Sequence, residues 1–237
     1  MSSALTFDLS VIEFVNSFAQ RSTLFDQIVR FVSGSNLFKG GVLLPLVWWA
    51  WFKPSPHQAA NREKLVAVLF GCILAMVVAR ILALVTPFRL RPLHDQSLSL
   101  VLPSGMEATT LDGWSSFPSD HATLFFAISF GLLLVSRRVG IIALAYTSLF
   151  IALPRVYLGL HYPTDIIAGA VIGGTVAFLS NAFVVKHRAI VSALATSHPH
   201  VFYPFFFLIT YQMADMFASI RAVLHAVAGF THVAVSL

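Results

Sequence analysis

The chain has 237 residues, 57% of them hydrophobic and 11% charged, with 15 Lys+Arg against 10 Asp+Glu and a net charge of +5; its mean hydropathy is +0.82. Soluble domains carry roughly a quarter charged residues, so this composition excludes an ordinary water-soluble globule, a disordered chain, a coiled coil and a collagen. The cations are too few and too scattered among apolar runs to form a nucleic-acid surface, and the chain belongs in a lipid bilayer.

Phe7, Val11, Phe14, Val15 and Phe18 recur at helical spacing while Asp8, Asn16 and Gln20 fall elsewhere on the wheel. This predicts an amphipathic helix lying in the membrane interface within residues 1–36. Asp8, Glu13 and Asp26 interrupt that segment, and it lacks the basic start and apolar core of a cleavable signal. Residues 39–52 predict a short span ending in an interfacial Trp48-Trp49-Ala50-Trp51 belt. Residues 65–85, with Arg80 as their sole charge, are long enough to cross the bilayer. Cys72, the only cysteine, reads there as a small hydrophobe and excludes an intrachain disulfide or a cysteine metal cluster.

The apolar stretches 122–136 and 139–153 reach spanning length by extending into 118–121 and 154–160. Residues 166–185 carry Gly169, Gly173 and Gly174, which let neighbouring helices approach closely. Residues 201–218, interrupted by Asp215, make a sixth span, and the tail 219–237 is a weaker amphipathic segment. The expectation is one membrane domain over 1–237: an all-α integral membrane protein of about six transmembrane helices in a bundle, with an interfacial N-terminal helix.

Lys53, Arg62, Lys64, Arg137, Arg138, Lys186 and Arg188 lie on one set of loops, whereas Arg89, Arg91 and Arg155 are the only Lys or Arg of the opposite set. Positive charge stays inside, so the second set is expected on the outer side of a cytoplasmic membrane. That side collects Arg89-Leu90-Arg91-Pro92, Phe117-Pro118-Ser119-Asp120-His121 and Arg155-x5-His161-x3-Asp165. Converging so many ionisable groups at a membrane face is costly without a ligand or mutual pairing.

The residue types suit phosphoryl transfer. Arginine forks match phosphate oxygens and neutralise transition-state charge, and Pro118-Ser119 opening a helix offers amide donors to an anion. Two histidines can divide nucleophilic and acid work. Asp165, one turn after His161, could hold that imidazole in one tautomer.

The three segments resemble the tripartite signature of the type 2 phosphatidic acid phosphatase superfamily: Lys-x6-Arg-Pro, Pro-Ser-Gly-His, and Ser-Arg-x5-His-x3-Asp. Arg91, Pro92, Pro118, Ser119, His121, Arg155, His161 and Asp165 match it. The resemblance implies that His161 attacks phosphorus, Asp165 orients it, and His121 protonates the leaving oxygen and then activates water. It implies that Arg91, Arg155 and Ser119 hold the phosphate, with no metal and no cofactor. The chain departs at Leu84, where the family has lysine, so Arg80 or Arg89 is the candidate replacement cation. It departs at Pro154 in place of serine, and at Asp120 in place of glycine. Asp120 resembles bacterial undecaprenyl-diphosphate phosphatases; it reads either as a specificity element, which must pair with an arginine, or as a first-turn acid complementing the helix dipole.

The substrate implied is a membrane lipid, undecaprenyl diphosphate foremost, with phosphatidate, phosphatidylglycerol phosphate and lipid A phosphate as competitors. A lipid phosphotransferase and a non-catalytic lipid-binding protein are the alternative readings. Loop 93–117 is expected as a lid, with Met106, Leu111, Trp114 and Phe117 facing acyl chains. His57, His94, His187, His198, His200, His225 and His232 read as bystanders.

Overall fold

The computed structural model describes residues 3–184 and 195–220; Lys186, Arg188, His187 and the tail beyond 220 lie outside them. Among the described residues every regular element is helical. In chain order they are α1 (Ser3–Asn16), α2 (Thr23–Gly34), α3 (Gly40–Phe52), α4 (Gln58–Val85), α5 (Asp120–Val135), α6 (Arg137–Tyr146), α7 (Leu153–Tyr157), α8 (Pro163–Val184) and α9 (Pro199–Ala214). A π-helical stretch, Thr147–Ala152, joins α6 to α7 into one rod, Arg137–Tyr157. Pro154 lacks an N–H and its ring crowds the preceding turn; the wider π turns directly before it give that room.

Among the described residues, three helices are long and apolar enough to cross a membrane: Gln58–Val85, Arg137–Tyr157 and Pro163–Phe183. Gly40–Phe52 and Asp120–Val135 are shorter apolar helices. Their positions follow the apolar runs of the sequence, each extended by a few residues into its polar flanks. The main core lies among α3, α4, α5 and α9, where Trp51, Leu43, Leu65, Phe125, Ile128 and Met213 are fully enclosed. Helices α5 and α8 touch through glycine: a Cβ placed on Gly173 would stand 2.2 Å from the Thr123 carbonyl oxygen, and one on Gly169 2.7 Å from that of Ser119. Only a residue without a side chain permits this approach.

The amino-terminal segment differs from expectation. It is two helices, broken at 17–22, with Ser22 capping α2 through its hydroxyl. Within α1, Asp8 turns inward and is 1% exposed, whereas Glu13, Phe7 and Phe14 are exposed. With lipid as solvent an apolar side chain can face outward at no cost, so α1 can seal Asp8 against the protein and leave Phe7 and Phe14 outside.

This pair also clamps the long loop between α4 and α5. Asn16 Nδ2 donates to the Val101 carbonyl at 2.7 Å and its Oδ1 accepts from Val101 N–H at 3.0 Å, while Gln20 Nε2 donates to Leu102 O at 2.8 Å. Buried Asp26 accepts from Ser104 N–H (2.8 Å), Gln20 N–H (3.1 Å) and the Tyr157 hydroxyl. Met106, expected to face acyl chains, packs instead against the buried cluster of Tyr157, Leu158 and Leu160. Trp114 and Leu111 remain exposed.

Candidate active site

Gly159 decides how His161 returns to the site. At the end of α7 it takes φ +67°, the left-handed conformation that favours glycine. Leu160 N–H then closes back on the Arg155 carbonyl at 2.9 Å, and the Gly159 carbonyl accepts from Leu93 N–H at 2.9 Å. The chain reverses, so Arg155 at the end of α7 and His161 before α8 face Arg91 and the start of α5. The three sequence segments therefore converge, as their alternating topology required.

Arg91 is buried. Its Nη1 donates to the Leu160 carbonyl at 2.6 Å and stands 3.3 Å from His161 Nε2; Nε and Nη2 donate to the carbonyls of Trp114 and Ser115, each at 3.2 Å. Burial pushes its pKa down to about 10, against an opposing pull from Asp165, so it remains a cation at neutral pH. His161 Nδ1 lies 2.8 Å from the Ser116 carbonyl oxygen. A carbonyl only accepts, so Nδ1 carries the proton and Nε2 keeps its lone pair. Burial first, then the Arg91 and Arg155 charges, hold this imidazole below its ordinary pKa despite the opposing effect of Asp165.

Asp165 was expected to orient His161 directly. Its Oδ2 is 3.8 Å from His161 Nδ1, and the carboxylate is instead occupied by Ser116 Oγ–H, Tyr162 N–H (2.8 Å) and Arg89 Nη1 (2.5 Å). Ser116 therefore stands between them: its hydroxyl is held by Asp165 and its carbonyl holds the imidazole. Nothing in the sequence singled out Ser116, because its position depends on loop closure rather than helix spacing.

Arg89 points away from a phosphate role. Its Nη2 reaches Asp8 at 2.7 Å and its Nη1 reaches Asp165 and Thr164 Oγ1, the latter at 2.9 Å, with the guanidinium over the Tyr162 ring. Asp8 in turn accepts from Thr164 N–H (2.9 Å) and Thr164 Oγ1–H (2.6 Å). The result is an Asp8–Arg89–Asp165 chain tying α1 to the start of α8. Arg80 pairs with Asp120 and lies over Trp114, which meets the condition that the extra carboxylate be neutralised. Leu84 is 83% exposed and turns outward.

His121 and Arg155 form the second wall. Arg155 Nη2 donates to His121 Nε2 and to the Ser33 carbonyl (3.1 Å). Arg155 Nε and Ser33 Oγ are buried without a hydrogen-bond partner. Ser119 caps α5, its hydroxyl accepting from Ala122 N–H at 3.4 Å. Its own N–H, expected to serve an anion, donates to the Asp165 carbonyl at 3.3 Å, so the hydroxyl proton is what Ser119 retains for a ligand.

A helical membrane core that gathers two histidines and two buried arginines at one end defines a phosphate-handling membrane protein. The chain belongs to the PAP2 superfamily, whose family model matches residues 64–189. It is 25% identical over 165 residues to the undecaprenyl-diphosphatase BcrC of Bacillus subtilis (strain 168), covering 70% of this chain and 78% of that protein. It is 36% identical over 118 residues to a lipid A 1-phosphatase of Rhizobium etli, covering 48% of this chain and 45% of the relative. The fold is similar to the crystal structure of a transmembrane PAP2-type phosphatidylglycerolphosphate phosphatase from Bacillus subtilis. The TM-score is 0.53 at 19% identity, covering 80% of this chain and 90% of that one.

Proposed function

We propose that the protein hydrolyses a lipid phosphate or diphosphate without a metal, through a phosphohistidine on His161, and that its preferred substrate is undecaprenyl diphosphate. The observation that carries this is His161 itself: Nδ1 held by the Ser116 carbonyl, Nε2 bearing its lone pair beside Arg91 Nη1. A phosphoryl group lying between Arg91 and Arg155 would present phosphorus to that lone pair. The new N–P bond forms as the P–O bond to the leaving group breaks, and both guanidiniums offset charge on the equatorial oxygens.

An anionic phosphate is a stronger acceptor for the Arg155 N–H than neutral imidazole. Its arrival would free His121 Nε2 to carry the proton that the leaving oxygen takes. In the second half, His121 receives a proton from water as the hydroxyl oxygen attacks phosphorus and the N–P bond breaks. Asp165 acts through Ser116 in this reading, and Arg89 positions Asp165 rather than touching phosphate.

The Pro118-Ser119-Asp120-His121 segment and the likeness to an undecaprenyl-diphosphatase over 70% of the chain support the diphosphate substrate. The 36% identity to a lipid A 1-phosphatase makes a lipid A phosphate the second candidate. Six spans, adding α3, α5 and α9 to the three long helices, with α1 and α2 at the interface, would put the site on the outer face of a cytoplasmic membrane, opposite most Lys and Arg.

The test is phosphate release by purified protein in detergent from undecaprenyl diphosphate, phosphatidate, phosphatidylglycerol phosphate and lipid A in parallel, with and without EDTA. Release should survive EDTA, vanish in His161→Ala, and leave an alkali-stable, acid-labile phosphoryl-enzyme in single turnover. Release that requires an added alcohol acceptor, or that survives in His161→Ala, defeats the hydrolase mechanism.

A further inference from the structure

The missing family lysine leaves the site one cation short on α4, and the turn between α2 and α3 delivers another. Lys39 is 4% exposed, and its Nζ makes only a long, 3.4 Å contact with the Gly34 carbonyl. Neither Lys39 nor Arg155 is ion-paired among the described residues, although Asp215 exerts a weaker pull on Lys39 at longer range. A buried ammonium without a paired acid is expensive, which points to an anion that completes the site.

The turn is built to hold Lys39 there. Asn36 Nδ2 donates to Asp215 Oδ1 at 2.9 Å, and a Cβ on Gly40 would stand 2.2 Å from the Ala214 Cα, so the end of α9 fixes the 36–40 segment. Two further groups beside it await partners: Ser33 Oγ, and the Nε of Arg155, whose Nη2 already binds Ser33 O. Lys39 Nζ meets the Gly34 carbonyl, and the adjacent Ser33 carbonyl accepts from the same Arg155 Nη2 that donates to His121 Nε2. Lys39 therefore lies on the His121 side of the site, where the leaving group is protonated.

We propose that Lys39, with Arg155 and Ser33, binds the leaving-side phosphate of a diphosphate, and that this turn rather than α4 supplies the site's third cation. This rests on His121 being the leaving-group acid. Burial and the nearby Arg155 charge push the lysine down to about 8; a bound phosphate dianion reverses both influences by giving the ammonium a partner. A monophosphate held by Arg91 and Arg155 offers Lys39 no second phosphate, so the lysine discriminates between the two classes of headgroup.

The experiment measures calorimetric affinities of purified wild type, Lys39→Met, Lys39→Gln and Lys39→Arg for inorganic diphosphate and orthophosphate, alongside binding and turnover of a prenyl diphosphate in micelles. One charge-assisted hydrogen bond is worth about tenfold or more. The neutral variants should therefore lose at least about tenfold more affinity for diphosphate than for orthophosphate, and Lys39→Arg should recover most of it. The micelle arm separates a lipid headgroup from the free ion: the same differential should appear with the lipid. Equal losses for both anions, no loss, or a wild type that binds diphosphate no more tightly than orthophosphate each overturn the proposal. If Lys39→Met fails to fold, Lys39→Gln and Lys39→Arg decide. A wild type that binds diphosphate through Lys39 yet releases no phosphate from any lipid refutes the hydrolase reading and leaves the Lys39 site standing.

Discussion

Gly173→Ala tests whether the close contact of α5 with α8 sets the catalytic geometry. A Cβ there would sit 2.2 Å from the Thr123 carbonyl oxygen and 3.0 Å from the Ala127 nitrogen. Ordinary contact begins at 3.4 Å, so the helices must separate by about 1.2 Å (3.4 − 2.2). Both obstacles are backbone and cannot rotate aside. Helix α5 is capped by Ser119 and carries His121 in its first turn, and α8 begins just after His161 and contains Asp165, so the separation acts directly on the distance between the proposed acid and the proposed nucleophile. A misplacement of about 1 Å can cost about 10²-fold in rate, and the overpacking itself costs about 1–3 kcal/mol. Gly71→Ala is the milder contrast: its Cβ meets the rotatable Ser180 hydroxyl at 2.9 Å, and Ser180 Cβ at 3.1 Å and Ala177 Cα at 3.3 Å need give only a few tenths of an ångström; it should change kcat by less than about threefold. The assay is initial-rate phosphate release in mixed micelles, paired with helix content and the thermal midpoint in the same detergent. A Gly173→Ala protein with wild-type kcat and an unchanged midpoint would refute the argument, since it would show that α5 and α8 can part without disturbing the site.

Two other outcomes are expected. Asp8→Asn leaves Arg89 with Asp165 as its single carboxylate and weakens two bonds to Thr164; it should lower the thermal midpoint by a cost of about 1–3 kcal/mol and reduce kcat with little change in KM, and wild-type values for both would dismiss the positioning role of α1. The second concerns pH. Burial and the arginine charges lower the His161 pKa, so the neutral, nucleophilic form persists below the ordinary imidazole value of about 6.5 and is lost only as pH falls through the lowered value. The acid limb of kcat/KM should therefore lie below about 6.5 and move upward in Arg91→Gln; a limb at or above that value in wild type contradicts the burial argument.

The sequence by itself determined the apolar helices and the three segments that meet at the candidate site. Apolar runs of near-bilayer length admit only helices in lipid, and Arg155, His161 and Asp165 are near enough along the chain for local geometry to relate them. Alternation of spans then required all three segments to meet at one end. Local spacing also anticipated the glycine contacts of α8 and the need for Asp120 to find an arginine.

Only the tertiary structure decided which polar groups complete the site, because their partners are far away in sequence. Asp8 meets Thr164 across 156 positions and Ser33 meets Arg155 across 122; no periodicity encodes such a pairing. Ser116 came between Asp165 and His161 for the same reason: a loop's path is set by what it packs against. The helical wheel of α1 was legible, but its orientation was not. A wheel separates two faces without saying what each will meet, and in the structure Asp8 turned inward and joined the site while Glu13 stayed exposed.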